Sequence, residues 1–465
     1  MSRPRVAVIG GGLAGLATAV ALSDAPCEIH LFEARRQLGG RATSFRDPAS
    51  GALVDFCQHV SMGCCTNLAD FCRRTHIDQH FRRERTLYFV GPDGSIVSMA
   101  ASRWLPAPLH LAPALLRLPF LSCANRWRVA RGLMTLARTR HDIEHEPTIA
   151  TWLIENGQTT QAIDRFWSVV LVSALGETID RVSLSAARKV FVDGFMANRA
   201  GYEVVVPERS LTELFHEHVG KFLKTRAVAL HFNTPVSGVE RDELGSYRIT
   251  GGQETLGVFD HVVVAVPWRH VRALVASALR PALPWLESVE RFESSPITGV
   301  HFWFDRSITE LPHAVFVERI SQWLFNRGQQ TGEDGRQRYY YQVVISASRT
   351  LVGHDRGEFV EQICDELRAI WPAAREAKLL NAKIVTEQHA VFTSSCGLDK
   401  IRPSQRAEPA GLWIAGDWTS TGWPATMEGA VRSGYLAAEG ILAAIGQPRK
   451  QLVGDLPRGL LSRWI

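Results

Sequence analysis

The chain has 465 residues, 46% of them hydrophobic and 21% charged, with 52 Lys and Arg against 47 Asp and Glu. This composition excludes a disordered tail protein and a small disulfide-stapled domain, and the length predicts two or more domains with room for a buried ligand. A net charge of +5 is mild for this length, so we expect no nucleic-acid partner. Only seven of the basic residues are Lys.

Cysteine spacing and hydropathy bear on the cellular setting. The eight Cys include no CxxC pair, and the cluster from Cys57 to Cys72 lacks zinc-type spacing. We therefore expect buried free thiols in a reducing cytoplasm and no metal site. The run from Val6 to Ser23 is uncharged, but its glycines are untypical of a signal peptide. No segment offers about 20 clean apolar residues, so no transmembrane helix is expected.

The first 33 residues have the pattern of a parallel βαβ unit. Residues 5–9 form a short β-branched run, a glycine loop follows, and residues 13–23 have the Ala and Leu spacing of a helix. A second short run at 28–33 predicts the next strand.

Two later buried runs, 259–267 and 411–416, predict further strands of the same sheet. The second delivers Asp417 to its carboxyl end. Because ligands of open α/β sheets bind at the carboxyl ends of strands, we expect these ends to converge on one site.

The intervening sequence falls into two stretches of different character. Residues 95–200 are rich in Leu, Ala, Arg and Trp at helical spacing, whereas residues 286–394 alternate as strands do. We predict an α/β fold in which a discontinuous Rossmann-like domain carries an inserted mixed α+β substrate domain and a helical cap. The predicted boundaries are 1–90, 205–285 and 395–448 for the Rossmann-like domain, 91–204 and 286–394 for the substrate and cap domain, and 449–465 for a C-terminal tail.

A dinucleotide site is predicted directly after the first strand. Gly10, Gly12 and Gly15 have GxGxxG spacing. Leu13 and Ala14, which stand between Gly12 and Gly15, are the first residues of the predicted helix. Small residues let the backbone approach a pyrophosphate, whose charge the helix N-terminus stabilises.

The residues after the second strand extend this site. Glu33 is placed to bind ribose hydroxyls, and Ala34 and Arg35 follow it. A second glycine pair ends at Gly40 and is followed by Arg41, which can reach the same pyrophosphate. NAD-only folds do not usually add this element, so it favours FAD.

With these motifs in place, the chain resembles the flavin amine oxidase and phytoene desaturase superfamily. Residues 415–418 and 425–434 resemble its C-terminal flavin-binding segment, which implies cofactor contacts from Gly416, Asp417, Thr426 and Met427. Val236 matches the strand whose backbone meets adenine in that superfamily; the alternative is that Val236 is only a core residue.

Three observations separate the branches of the superfamily. Flavin amine oxidases commonly use a Lys beside the flavin and an aromatic cage, but no Lys occurs between 224 and 378 and the cage position is Thr426. The stretch 55–67 resembles plant-type phytoene desaturases, with Cys57 where Gly is usual. The chain resembles most closely, over nearly its full length, the squalene-associated FAD-dependent desaturases, also described as hydroxysqualene dehydroxylases; the most specific segment is 416–430.

This resemblance implies that reduced flavin replaces the hydroxyl of a hydrophobic C30 isoprenoid by hydride, giving squalene and water. Because hydroxide leaves poorly, a proton donor is needed, and the motif offers His59 and Asp55 as catalytic candidates. His59 could instead orient the flavin or the loop, and Asp55 could instead fix the turn. Two other functions stay open: a carotenoid-type desaturase, and a non-catalytic flavoprotein that carries an isoprenoid. Only one dinucleotide loop is evident, so the reductant of FAD is unknown.

A basic, apolar segment predicts a membrane-facing surface. From Gly94 to His141 there is no acidic residue. Trp104 and Trp127 could anchor this segment at the headgroup boundary, which places the protein peripherally on the inner face of the cell membrane. The alternative is a helical cap whose apolar side is core. The segment's seven Arg are 103, 117, 126, 128, 131, 138 and 140.

Overall fold

The computed structural model describes residues 3–48, 51, 53–139, 145–332, 335–351, 353 and 355–464. Arg140 and His141 of the basic segment lie outside these residues. Two main sheets, one parallel and one mixed, organise the chain.

A five-stranded parallel sheet forms the first layer. Its strands lie in the order Ala229–His231, Glu28–Phe32, Arg5–Ile9, His261–Val264 and Leu412–Ile414. The central strand, Arg5–Ile9, is almost fully buried, with Val6, Ala7 and Val8 inaccessible to solvent, as expected of a parallel sheet covered on both faces. The predicted βαβ start is therefore present.

Two helices cross closely on one face of this sheet. The helix Leu13–Leu22 is buried along its whole length and packs against Met427–Ala444. A Cβ on Gly434 would overlap the carbonyl of Ala14, so the crossing requires glycine. The core on this face also includes Thr66–Arg74 and Val219–Thr225, while Trp268–Leu274 packs into the core on the other face.

A seven-stranded mixed sheet forms the second layer. Its order is Leu379–Phe392, Ser294–Phe304, Gln337–Ser346, Trp323–Thr331, His313–Phe316, Thr86–Val90 and Ile96–Ala100. Three small sheets complete the strands: Gly238–Arg241, Tyr247–Gly251 and Glu254–Phe259; Ser61–Met62, Val204–Pro207 and Phe81–Glu84; and Ser44–Arg46 with Leu53–Asp55.

Most residues between 109 and 196 form a helical cap over one end of the mixed sheet. Two of its segments are π-helical, a conformation that is uncommon and often marks functional sites. The α-helices of this region are Ala112–Leu116, Cys123–Arg138, Ile149–Glu155, Thr160–Ala162, Ser168–Leu175 and Leu184–Arg188; the π-helices are Ile163–Trp167, Lys189–Met196 and, outside the cap, Glu213–His218.

The remaining elements are short except for one. The α-helices are Trp285–Val289, Arg356–Ile370, Pro372–Glu376 and Leu398–Ile401, and the 3₁₀ turns are Asp78–His80, Leu109–Leu111, Arg280–Ala282, Ser348–Leu351 and Leu461–Trp464. Arg356–Ile370 was missed within the stretch predicted to alternate as strands; Asp355 caps its N-terminus by accepting from the amides of Gly357 and Glu358.

Three further expectations need correction. The predicted strand 259–267 is confined to His261–Val264, because Phe259 ends the preceding antiparallel strand. Thr86–Val90, which the predicted boundary at residue 90 assigns to the Rossmann-like domain, pairs within the mixed sheet. Val236 lies in the connection after Ala229–His231, not on a strand. The domain boundaries otherwise stay a prediction.

The C-terminal tail folds back onto the body. Asn67 exchanges hydrogen bonds with the backbone of Val453, and the amide of Gly459 donates to the carbonyl of Ala197.

All eight cysteines are free; Cys123 and Cys396 are exposed, contrary to the expectation of buried thiols. Within the described residues no helix combines the length and hydropathy needed to cross a bilayer, and no group of His, Cys, Asp or Glu could hold a metal ion.

Candidate FAD and substrate site

One continuous cavity of about 1170 Å³ joins the parallel sheet to the helical cap. Two parts differ in chemistry. The first, called the cradle here, is lined by the glycine loop, the residues after the second strand and the segment 416–427. The second, called the chamber, is lined mainly by apolar side chains of the mixed sheet and the cap, including Leu87, Phe89, Leu115, Leu118, Phe120, Leu133, Met134, Phe166, Phe191, Phe195, Trp323 and Phe325.

Two glycines of the cradle loop, Gly10 and Gly15, have no room for a Cβ. Gly10 has a φ of +110°, and a Cβ there would lie 2.5 Å from the carbonyl oxygen of Ala265. A Cβ on Gly15 would overlap the carbonyl oxygen of Gly10. Gly12 faces Gly40, whose Cβ would lie 3.1 Å from the Gly12 Cα. The backbone is thus bare where a diphosphate would approach.

Glu33 connects the loop to the end of the second strand. Its carboxylate accepts from the amides of Gly11 at 2.7 Å and Arg35 at 2.9 Å, and only 8% of the residue is exposed. Glu33, Ala34 and Arg35 line the cradle. Glu33 therefore orders the loop and keeps lone pairs for ribose hydroxyls.

Arg41 and Asp417, far apart in sequence, meet in the cradle. The guanidinium donates to Asp417 Oδ1 at 2.7 Å and to the Ala390 carbonyl at 2.8 Å. This ion pair joins the two segments that the sequence analysis assigned to the cofactor. Val236 lines the cradle as well.

Arg402, which sequence reasoning missed, holds the turn that carries Asp417. Its buried guanidinium donates to the carbonyls of Asp417 at 2.8 Å and Thr419 at 2.5 Å. Its place before a proline gives no recognisable signal; the role arises from folding the chain back onto the turn.

Two helix N-termini point at the cavity. Leu13 and Ala14 open the first helix, and Met427 opens the last. Thr426 caps the last helix by accepting from the Gly429 amide at 3.0 Å. Both helix dipoles present positive ends to this space. Glycines, helix N-termini and Arg41 together fit a dinucleotide with two phosphates.

Most of the predicted site residues line the same cavity. The cavity is lined by Gly10, Gly12, Leu13, Ala14, Glu33, Ala34, Arg35, Gly40, Arg41, His59, Val236, Gly416, Asp417, Thr426 and Met427. Gly15 and Asp55 do not line it. Gly15 serves helix packing behind the loop, as the third glycine of such motifs does.

Asp55 lies behind the loop that carries His59. Its carboxylate accepts from Ser44 Oγ at 2.6 Å and from the Leu211 amide at 3.0 Å, and Arg327 Nη2 lies 3.5 Å from Oδ2. With 3% exposure, Asp55 fixes the turn, which is the alternative that the sequence left open.

His59 borders the cavity in a defined tautomer. Nδ1 lies 2.9 Å from the Cys57 carbonyl oxygen, so this nitrogen must carry the proton. Burial lowers the pKa of His59, although the Cys57 carbonyl opposes the shift. The neutral ring then offers Nε2 as an acceptor, which does not favour the predicted role of His59 as an acid.

Glu428 lies in the first turn of the last helix, where a carboxylate ordinarily stabilises its own helix N-terminus. It instead accepts from the amides of Asn67 at 3.1 Å and Leu68 at 2.7 Å, which begin the helix Thr66–Arg74. Burial raises the pKa of Glu428, while these bonds oppose the shift. Glu428 thus fastens one helix to another beside the cavity.

The chamber walls come from the mixed sheet and the cap. The aromatic side chains Trp323 and Phe325 line the chamber, whereas Trp303 and Tyr341 lie elsewhere in the buried sheet. His301 is buried in the core of the mixed sheet, with Nδ1 2.7 Å from the hydroxyl oxygen of Tyr340. His389 is exposed at the cavity rim.

A buried ion pair holds the cap against the mixed sheet. The Glu177 carboxylate, fully buried after the helix Ser168–Leu175, is bound in a fork by Arg349 at 2.5 and 2.6 Å. Thr393 Oγ1 donates to it at 2.7 Å. Despite the burial, Arg349 and Thr393 hold the pKa of Glu177 below its ordinary value. This cluster is called the latch below.

The basic segment covers the far end of the chamber. Leu111, Leu115 and Leu133 face inward, while Trp104 is 91% and Trp127 75% exposed. Arg126 is half-buried and donates to the carbonyls of Leu116 and Leu118. The exposed arginines of this segment are 103, 117, 128, 131 and 138.

Comparisons with known proteins agree with this geometry. The profile of the family "Flavin containing amine oxidoreductase" matches residues 13–442. The chain is 28% identical to the hydroxysqualene dehydroxylase of Rhodopseudomonas palustris, covering 94% of this chain and 98% of that one. It is 25% identical to the zeta-carotene desaturase of Synechocystis sp., covering 94% and 97%.

A solved structure shares the fold. Cyclohexylamine oxidase from Brevibacterium oxydans superposes with a TM-score of 0.68 at 18% identity, covering 96% of this chain and all of that one. The predicted fold class, superfamily and FAD cofactor are confirmed. The chain belongs to the flavin-containing amine oxidoreductase family and is an FAD-dependent oxidoreductase.

Proposed function

We propose that this enzyme reduces hydroxysqualene to squalene, releasing the hydroxyl group as water. The observation that carries the proposal is the chamber, a long apolar space continuous with the FAD cradle. Such walls suit a hydrophobic isoprenoid and exclude bulk water. The similarity to a hydroxysqualene dehydroxylase over 98% of that protein's length supports this substrate.

Bound FAD supplies the hydride chemistry, and the chain supplies its setting. Glycines 10, 12 and 40 give the diphosphate access to backbone amides. Arg41, held by Asp417, adds positive charge. The aromatic walls, with Trp323 and Phe325 stacked at 5.4 Å, tolerate a delocalised allylic cation as the C–O bond weakens.

Anaerobic single turnover tests the reaction. Photoreduced enzyme is mixed with hydroxysqualene while flavin absorbance and squalene are followed together. We expect reoxidation with one squalene formed per flavin. Reduced flavin that persists, with no squalene formed, would contradict the proposal and leave a carrier of isoprenoids.

A carotenoid desaturase is the second candidate, favoured by the similarity to zeta-carotene desaturase at 25% identity. That reaction runs in the oxidative direction. Oxidised enzyme incubated anaerobically with phytoene would then bleach its flavin and yield a desaturated product. Amine oxidation is disfavoured because no Lys occurs between 224 and 378 and Thr426 occupies the cage position.

The exposed part of the basic segment is proposed to dock on anionic membrane, peripherally and from the cytoplasmic side. Trp104, Trp127 and Leu116 protrude beside exposed arginines and over the chamber. Each arginine near an anionic surface contributes about 1 kcal/mol. A substrate that is insoluble in water could pass from the bilayer into the chamber.

Vesicle sedimentation tests the docking. We expect wild type to sediment with phosphatidylglycerol vesicles more than with phosphatidylcholine vesicles. The variant Trp127→Ser, Arg128→Gln, Arg131→Gln should bind at least about tenfold more weakly. Arg248→Gln with Arg406→Gln, which removes exposed arginines elsewhere, is the control. Equal sedimentation of all three proteins would overturn the docking proposal.

A further inference from the structure

Lys189 places an ammonium group in the cavity wall between the chamber and the cradle. Lys189 begins the π-helix Lys189–Met196, which contributes six residues to the cavity lining: 189, 190, 191, 194, 195 and 196. Its Nζ lies 4.7 Å from the centre of the Trp423 ring and 2.9 Å from Asp193 Oδ2. Trp423 lies three residues before Thr426 and four before Met427 in the sequence. The π-helix therefore places a cation beside the segment that the family resemblance assigns to the flavin.

Three other proton-bearing groups that line the cavity, Tyr202, Arg165 and Cys57, are bound to other groups or are weak acids. The hydroxyl of Tyr202 donates to the Arg85 carbonyl at 2.7 Å. Arg165 is bound to Glu318 and the Phe120 carbonyl. Burial raises the pKa of the Cys57 thiol to about 12.

The two acids suggested by position are also engaged. The proton of neutral His59 is on Nδ1, directed at the Cys57 carbonyl. Both carboxylate oxygens of Glu428 accept from the start of the helix Thr66–Arg74. Unlike these groups, Lys189 carries an ammonium with protons beyond the one directed at Asp193.

Lys189 is also connected to solvent. Asp455 Oδ2 lies 4.0 Å from Nζ, and side-chain exposure rises from 22% at Lys189 through 28% at Asp193 to 51% at Asp455. A proton lost inside the chamber can therefore be replaced from outside through this acidic pair.

We propose that Lys189 is the catalytic proton donor to the departing hydroxyl, an inference that rests on the proposed function. The Nζ–H bond breaks, a new O–H bond forms, the C–O bond breaks and water leaves. The carbon takes up a hydride equivalent from reduced FAD, which ends oxidised, and the Lys189 amine regains a proton from solvent.

The local electrostatics favour this transfer. Once the proton has left, Lys189 is neutral, while the Asp193 carboxylate and the Trp423 ring stay beside it. Negative charge and an aromatic face both stabilise an allylic cation. The transfer thus removes positive charge from the wall as positive charge develops on carbon.

A change of leaving group tests the role. The probe is the acetate ester of the same alcohol, because acetate leaves without protonation. General acids contribute about 100-fold or more. We expect Lys189→Met to reoxidise its flavin at least about 100-fold more slowly with hydroxysqualene, but within about threefold of wild type with the ester. Lys189→Arg should behave like Lys189→Met, because guanidinium is a far weaker acid.

Controls separate structure from chemistry. Lys221→Met, on the exposed side of the helix Val219–Thr225, should match wild type with both compounds. FAD content and the visible spectrum of each variant report an intact cradle without turnover. Lys189→Met that equals wild type on the alcohol, or is equally slow on both compounds, overturns the assignment. Wild type that reduces neither compound overturns the proposed function itself and Lys189's role with it.

Discussion

The cradle and the chamber are halves of one cavity but are built in different ways. The cradle is shaped by backbone: glycines without room for Cβ, helix N-termini and carbonyl oxygens that bind Arg402. The chamber is shaped by side chains from the mixed sheet and the cap, which are distant in sequence. A site made by backbone leaves a sequence signature, because few residue types permit its conformation. An apolar wall leaves none, since many side chains fill it equally well.

The largest effect is expected in the cradle. Gly15→Ala should abolish FAD retention, because the new Cβ would overlap the Gly10 carbonyl and displace the loop. The flavin-to-protein ratio after purification, and titration of the apoprotein with FAD, measure this loss. Gly454→Ala is the matched control, since its Cβ would meet open space. Normal FAD content in Gly15→Ala would show that the loop is not constrained by backbone.

The latch tests how strongly side-chain contacts hold the cap, by comparing the loss of a buried ion pair with the loss of an exposed one. Arg349→Met leaves the buried Glu177 carboxylate without its fork of hydrogen bonds, so the free energy of unfolding should fall by about 3 kcal/mol. Arg368→Met removes an exposed ion pair with Asp365 and should cost less than about 1 kcal/mol. Chemical denaturation measures both. Equal losses would mean that the latch does not hold the cap.

Acid should weaken the mixed sheet through His301. Burial lowers its pKa to about 3, whereas in the unfolded chain it takes up a proton near pH 6.5. The stability is therefore present above pH 6.5 and is lost as the pH falls, by about 2 kcal/mol between pH 6.5 and pH 4.5.

The variant His301→Gln tests this assignment. Its free energy of unfolding should depend less on pH over the same range, since residue 301 no longer titrates. Urea denaturation at a series of pH values compares the two proteins. Identical slopes would assign the acid sensitivity to other groups.

The smallest effect is expected from Thr426, a side chain of the cradle that caps the last helix. Thr426→Ala removes the cap of the last helix and should lower the free energy of unfolding by about 1 kcal/mol. Thr426→Ser keeps the hydroxyl and should match wild type. Denaturant unfolding of the three proteins checks this order, and a serine variant as unstable as the alanine variant would contradict the capping role.

Much of the Rossmann-like half could be predicted from sequence. The strands Arg5–Ile9 and Glu28–Phe32 and the start of the helix at Leu13 lie where the pattern placed them. The cap and the mixed sheet were predicted in character only: Thr86–Val90 joined a different sheet, and Arg356–Ile370 was missed. Local patterns fix an element, but pairing partners depend on contacts far along the chain.

By itself, the sequence determined where a dinucleotide could approach the backbone, because only glycine fits at positions such as Gly10 and Gly15. The tertiary structure alone decided which polar side chains face the substrate part of the cavity. It turned Asp55 away from the cavity, fixed the proton of His59 on Nδ1 and brought Lys189 against Trp423. The physical reason is range: a glycine's conformational freedom is a property of one residue, whereas the partner of a charged side chain is set by long-range packing.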